Sequence, residues 1–116
     1  MQVHQMKLKR QHFNKIASGE KWVEMRVADE KRKQVLAGDR ILFSCEEEPM
    51  HYLTVSVCAV QFFADFFELA KHYGGAAVGF SGVDAEDIAA YMCGIYGADV
   101  VQSLGVVALE ISLLSE

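Results

Sequence analysis

The feature that most limits the fold of this chain is the uneven order of its strand-like and helix-like segments. Five segments alternate apolar and polar residues, as strands with one buried face do. They cover Val3–Leu8, Trp22–Val27, Arg40–Cys45, His51–Gln61 and Val106–Leu113. Because helices do not separate these segments at regular intervals, a parallel, doubly wound sheet is not expected. The order predicts an α+β fold whose sheet is largely antiparallel and suited to closure into a barrel.

Three further segments have the period of an amphipathic helix. They cover Arg10–Ser18, Asp65–Tyr73 and Asp84–Tyr96. The first stops before Gly19, where a C-cap glycine belongs. The third gives the clearest pattern, since Asp84 can cap its first turn. Its buried stripe is expected to comprise Ile88, Tyr91, Met92 and Ile95. The charged stretch 28–37 predicts a short exposed helix or turn.

Composition bounds the class of protein. With 116 residues, 52% of them hydrophobic and 23% charged, the chain is expected to form one compact domain over residues 1–116. No stretch approaches the ~18 apolar residues of a membrane span, and the first residues lack a signal-peptide pattern. Three well-separated cysteines and four histidines without ligand spacing predict neither a disulfide framework nor a metal site. We therefore expect a cytoplasmic protein with no membrane partner, metal or cofactor.

Charge is distributed unevenly along the chain. The net charge is −5, yet ten of the eleven lysines and arginines lie within residues 1–40. This asymmetry predicts a local basic patch on an acidic body. Its candidate members are Lys7, Lys9, Arg10, Lys15, Lys21 and Arg26. The alternative, in which the charges of the two halves intermix after folding, stays open.

The densest polar feature runs from Gly19 to Arg26. A glycine turn there brings Lys21, Glu24 and Arg26 to the start of one strand. In an extended backbone, Glu24 and Arg26 point the same way about 7 Å apart, close enough to pair or to hold one ligand between them. Lys21 has the opposite parity and joins them only if the chain bends or bulges. Two interpretations stay open: a shared ligand site, or a Glu24–Arg26 salt bridge beside a solvated Lys21.

The spacing Gly-x-Lys-x-x-Glu-x-Arg at residues 19–26 is similar to the GxKxxExR signature of ASCH domains. The flanks are similar in type and order, with a short helix before the motif, a charged segment after it and a closing strand at 105–111. The resemblance is weakest over residues 72–104. It implies a small, largely antiparallel PUA-like β-barrel of about five or six strands with two to four helices, and a cleft around the signature.

The resemblance also implies a domain that binds RNA or a modified nucleoside. Lys21, Glu24 and Arg26 match the signature, so the resemblance gives them a ligand-contacting role. Lysine and arginine can hold a phosphate or polarise a carbonyl, and glutamate can accept from an exocyclic amine. Trp22 is a fourth candidate, because on the Glu24 face it either stacks on a base or fills the barrel. Lys21→Met is expected to cost less than about 1 kcal/mol of stability, as at an exposed site.

Two other functions stay open. A branch of the superfamily that hydrolyses N4-acetylcytidine uses a threonine, a lysine and a glutamate. Lys21 matches that lysine, but Glu24 stands at the threonine position and residues 73–80 contain no carboxylate. We therefore expect little hydrolysis of N4-acetylcytidine, whereas a ribonuclease or another amidohydrolase with Lys21 and Glu24 as catalytic groups stays an alternative. A protein-interaction domain built on the segment Phe62–Phe67 is the third alternative. Sequence alone does not fix the oligomeric state.

Overall fold

Strands and helices follow one another in an irregular order in the computed structural model, which describes residues 1–115. In chain order they are β1 (Val3–Leu8), α1 (Arg10–Ala17), β2 (Val23–Val27), α2 (Glu30–Lys33), β3 (Arg40–Cys45), β4 (Tyr52–Phe63), α3 (Phe66–Tyr73), α4 (Ala85–Tyr96), α5 (Ala98–Leu104) and β5 (Val106–Ser115). All five predicted strands are present. Their ends differ from the expected ones by at most two residues.

The five strands form one mixed sheet in the order β1-β3-β4-β5-β2. β1 runs parallel to β3, and the other neighbours are antiparallel. The sheet curls into a half-barrel whose two edge strands, β1 and β2, are not hydrogen-bonded to each other. The predicted α+β, largely antiparallel architecture is thus confirmed, with an opening between β1 and β2 where a closed barrel would have a ladder.

Residues 1–115 contain five helices, whereas two to four were expected. The helix missed by the pattern is α5, a seven-residue segment between Gly97 and Gly105. It contains two adjacent β-branched residues, Val100 and Val101, which lower helix propensity and obscure the period. None of the described helices is long and apolar enough to cross a membrane.

Two hydrophobic cores lie on opposite faces of the sheet. One fills the half-barrel and includes Phe13 of α1, while the other packs helices α3, α4 and α5 against the outer face. Neighbouring residues of β5 contribute to the two cores in turn, since Val107 packs in the first core and Val106 in the second. On β2, Val23, Met25 and Val27 face the helices. The alternate residues of β2 therefore point into the half-barrel at its open side.

The buried stripe of α4 is narrower than predicted. Ile88 and Met92 are buried, but Tyr91 and Ile95 are 43% and 54% exposed. The prediction that all four lie in the core is wrong, because Ile88 and Met92 are the members of the stripe that belong to the core on the outer face of the sheet. Tyr91 and Ile95 instead stand at the opening between the helix and β1.

Candidate functional site

The chain bends just before β2, and this bend directs Lys21. The strand begins at Val23, so Lys21 and Trp22 precede it. The N–H groups of both Trp22 and Val23 donate to the carbonyl of Ala77 at 3.0 Å, and the N–H of Lys21 donates to Lys15 O. Because this stretch is not extended strand, the alternation of sides that separates residues 21 and 24 in a regular strand does not apply.

Lys21, Glu24 and Arg26 converge into a buried triad of charges. Lys21 Nζ lies 2.7 Å from Glu24 Oε1, and Arg26 Nε lies 2.7 Å from Glu24 Oε2. Lys21 and Glu24 are each only 4% exposed, so the expectation of an exposed lysine at this position is wrong. Arg26 also donates through one terminal nitrogen to the backbone oxygen of Lys7 at 2.7 Å. The guanidinium thus bridges the open side of the half-barrel, from β2 to β1.

The three side chains of the triad stabilise one another in their ionised forms. Burial alone would raise the pKa of Glu24, but the charges and hydrogen bonds of Lys21 and Arg26 outweigh it and lower the pKa to about 2. Burial opposes the charge of Arg26 as well, yet the Glu24 carboxylate raises the pKa of the guanidinium. Glu24 is therefore ionised throughout the physiological range, and the three groups together carry one net positive charge.

His12 of α1 completes this cluster, and sequence reasoning missed it. Lys21 Nζ lies 3.0 Å from His12 Nδ1. Burial and the neighbouring charge of Lys21 lower the pKa of His12 to about 4, so the ring is neutral near pH 7. A neutral ring that accepts at Nδ1 carries its proton on Nε2. The only sequence signal was the position of His12 on the helix before the motif, which is too weak to identify it.

Gly79, in the loop between α3 and α4, lets that loop pack against the lysine. Its φ is +91°, and a Cβ built there would lie 2.7 Å from Lys21 Cδ and 3.0 Å from His12 Nδ1. The Gly79 carbonyl accepts from Lys15 Nζ at 2.8 Å. Glycine is needed here for both its backbone conformation and its lack of a side chain. The sequence showed only a glycine-rich stretch, which is typical of any loop.

A cleft of about 140 Å³ opens above the triad. Its apolar walls are formed by Phe80, Tyr91, Met92, Ile95 and Tyr96. Lys7 and Lys9 of the β1 region stand at its rim. Pockets for drug-sized ligands measure ~300–1,000 Å³. The cleft therefore has room for one small group, between walls that include three aromatic side chains and a floor of charged ones.

The structure gathers most of the predicted basic residues at this cleft, but not all. Four of the six candidates line it, namely Lys7, Lys9, Lys21 and Arg26. Arg10 instead pairs with Glu48 at 3.2 Å, and Lys15 is engaged by Gly79. Trp22 lies outside the cleft, 44% exposed, with its ring against the edge of Tyr73. Trp22 belongs neither to the core of the half-barrel nor to the lining of this cleft.

The aromatic segment singled out as an interaction surface is divided by the fold. Phe66 is buried and Phe63 is half-buried against Tyr73. Phe62 and Phe67 remain on the surface, 54% and 37% exposed. In the part of the chain that the structure describes, no three His, Cys, Asp or Glu side chains form a group that could hold a metal ion.

Solved structures share this fold over nearly the whole chain. The crystal structure of hypothetical protein PH0355 is 29% identical, with a TM-score of 0.86, and the match covers 98% of this chain and 100% of that one. The solution NMR structure of protein PF0455 from Pyrococcus furiosus is 28% identical, with a TM-score of 0.74 and coverage of 98% and 99%.

A more distant structure, that of a mutant ZmASCH protein from Zymomonas mobilis, is 16% identical with a TM-score of 0.65. The match covers 95% of this chain and 67% of the ZmASCH chain, and at this identity it shows a shared fold alone. A comparison with curated protein sequences found no significant match. The sequence model of the ASCH domain family matches residues 6–115 of this chain. The chain therefore belongs to the ASCH domain family.

Proposed function

We propose that this protein binds RNA or a modified nucleoside by taking one base into the cleft above Lys21, Glu24 and Arg26. The ASCH family supports RNA binding at the family level. The observation that carries the proposal for this chain is the convergence of the three signature residues beneath aromatic walls. Single-stranded RNA is recognised mainly by stacking of splayed bases on aromatic rings and by hydrogen bonds to their edges.

The triad has hydrogen-bonding capacity left for such an edge. A lysine ammonium has three N–H donors, of which Lys21 uses one on Glu24 and one on His12. The Glu24 carboxylate has about four acceptor sites, and the contacts to Lys21 and Arg26 occupy two. A free donor thus lies beside free acceptor sites. This arrangement complements the adjacent acceptor and donor on a nucleobase edge.

The aromatic rings above the triad supply the stacking surface. Phe80 packs against His12 on one side and against Tyr91 on the other, with ring centroids 5.3 and 5.4 Å apart. Stacking of a base on an aromatic side chain contributes about 1–3 kcal/mol and tolerates any base. Trp22, outside the cleft, has no part in this step.

The protein has three free cysteines, which favour a reducing compartment. On that ground we place it in the cytoplasm.

Hydrolysis in the same cleft is the second candidate, and one observation favours it. The neutral ring of His12 accepts a hydrogen bond from Lys21 Nζ at 3.0 Å, which would hold the ammonium in place to polarise a substrate carbonyl. Glu24 is a poor general base, because a pKa of about 2 lies far from neutral pH. Binding therefore comes first, with Lys21 and Glu24 as ligand contacts, and catalysis by the same pair second.

Direct titration separates these functions. Isothermal titration with cytidine, N4-acetylcytidine and a short single-stranded RNA, followed by chromatography of each mixture, measures binding and turnover on the same samples. We expect saturable binding of at least one ligand with no product. Strand cleavage or cytidine release that disappears in Lys21→Met would favour the hydrolase. No binding of any ligand would contradict the proposal.

A further inference from the structure

Strand β1 has one free edge, which faces β2 across the opening of the half-barrel. Two cationic side chains donate hydrogen bonds to backbone carbonyl groups on this edge. Lys31 Nζ of α2 donates to Gln5 O at 2.7 Å, and Arg26 donates to Lys7 O at 2.7 Å. These contacts anchor two long cationic side chains along the strand. An edge covered in this way is also protected from pairing with another strand.

The same cations line a second groove, of about 380 Å³, along that edge. The groove adjoins the cleft, because Lys7, Arg26 and Glu46 line both. Its charged lining consists of Lys7, Arg26, Lys31, Arg32 and Glu46. Four cations and one carboxylate thus meet on a chain whose net charge is −5. Such a concentration of one sign attracts anions locally, despite the acidic body.

Two of the four cations keep their charge available to a ligand. Arg26 is paired with Glu24, and Arg32 with Asp29 at 2.9 Å. Among residues 1–115, neither Lys7 nor Lys31 forms an ion pair with a carboxylate. Lys31 donates one of its three N–H groups to the backbone, and the other two are available to a ligand. Lysine is a common phosphate ligand because it presents a compact charge with several donors.

We propose that this groove binds a phosphate of a single-stranded RNA whose neighbouring base occupies the cleft. The inference rests on the proposed function and narrows its ligand from a free nucleoside to a strand. A base and its phosphate are covalently linked, so two contiguous sites of this kind, one flat and aromatic and one cationic, match consecutive parts of one nucleotide. An open groove also lets the strand continue along β1 in a way that a closed nucleoside pocket would not.

The test uses fluorescence anisotropy with a labelled, short single-stranded RNA of mixed sequence at several KCl concentrations. The double variant Lys7→Gln/Lys31→Gln removes both available charges. Lys33→Gln is the matched control, because Lys33 is exposed on the same helix as Lys31 but does not line the groove. Each phosphate contact on a single strand contributes about 0.7 to the slope of log K against log salt. We expect the double variant to bind more weakly, with a slope shallower by about 0.7, as for the loss of one phosphate contact, and Lys33→Gln to match the wild type.

The outcomes separate this inference from the function on which it rests. RNA binding that Tyr91→Ala weakens but Lys7→Gln/Lys31→Gln leaves unchanged would keep the cleft and overturn the groove. No RNA binding by the wild type would overturn the groove, and the proposed function would then stand only if cytidine or N4-acetylcytidine binds in the cleft. Competition by inorganic phosphate or a nucleoside monophosphate that equals competition by unlabelled RNA would assign the groove to free phosphate compounds and contradict strand binding. Urea midpoints of the variants, expected to be unchanged, verify that they are folded.

Discussion

Lys21 Nζ lies 2.7 Å from Glu24 Oε1, although a regular strand would direct these two residues to opposite faces. The contact forms because β2 begins only at Val23 and because the carbonyl of Ala77 binds two successive N–H groups at that point. The loop between α3 and α4 therefore sets the geometry of a charged triad whose three members all come from one short motif. Changes in that loop should disturb the site as much as changes in the motif itself.

Gly79→Ala tests this dependence on the loop. The added methyl group would overlap Lys21 Cδ and crowd His12, so we expect lost ligand affinity together with destabilisation. Gly82→Ala is a matched control: its φ is +80°, but a Cβ there meets nothing within 4 Å. Both variants carry the backbone strain of about 1–3 kcal/mol, so only Gly79→Ala should lose affinity. Equal affinities in the two variants would mean that the loop does not position Lys21.

Lys21→Met should destabilise the protein, contrary to the small effect expected for an exposed lysine. Breaking a buried ion pair costs about 3–5 kcal/mol, and because Arg26 still compensates Glu24 we expect about 2–3 kcal/mol. The midpoint of urea unfolding measures this change. Each single variant already breaks the contact between Lys21 and Glu24. The double variant cannot lose that contact twice, so it should lose less than the sum of the single variants. Additive losses would show that the two side chains are not coupled.

Acid should weaken the fold in two steps. His12 has its pKa lowered from 6.5 to about 4, so its contribution is present above about pH 6.5 and is lost as the pH falls towards 4. Glu24 has its pKa lowered from 4.5 to about 2, so its contribution is present above about pH 4.5 and is lost as the pH falls towards 2. The second step amounts to a free energy of unfolding on the order of 3 kcal/mol.

Urea unfolding at a series of pH values measures both steps. Glu24→Gln should flatten the step below pH 4.5 and leave the step between pH 6.5 and 4 in place. Other carboxylates also titrate at low pH, so the change of unfolding free energy with pH must be compared between the variant and the wild type. Identical acid profiles for wild type and Glu24→Gln would contradict the buried triad.

Tyr91→Ala should weaken ligand binding while leaving stability nearly unchanged. Loss of one stacking surface costs about 1–3 kcal/mol of binding free energy, which is roughly a 5- to 150-fold loss of affinity. Tyr52→Ala is the control, because Tyr52 on β4 is similarly exposed but does not line the cleft. Isothermal titration with the same RNA compares the two. A similar affinity in both variants would remove Tyr91 from the binding surface.

Local patterns predicted much of the fold, because strand periodicity is a local property. The alternation in β5, for example, directly reflects its position between two cores. The site was predicted less completely. The triad came from the resemblance of the motif, since parity alone separates Lys21 from Glu24. His12 and Gly79 reach Lys21 through contacts that leave no periodic signal in the sequence. Tyr91 was assigned to the core because its spacing fits the apolar stripe of α4.

The most direct test of the account maps the ligand onto the structure. NMR spectra of isotopically labelled protein, recorded during titration with the short single-stranded RNA, show which residues sense the ligand. The account predicts that perturbations cluster at Lys21, Glu24 and Tyr91 and extend along β1 towards Lys31. Perturbations centred on Trp22, or on the exposed Phe62 and Phe67, with none around the triad, would contradict it.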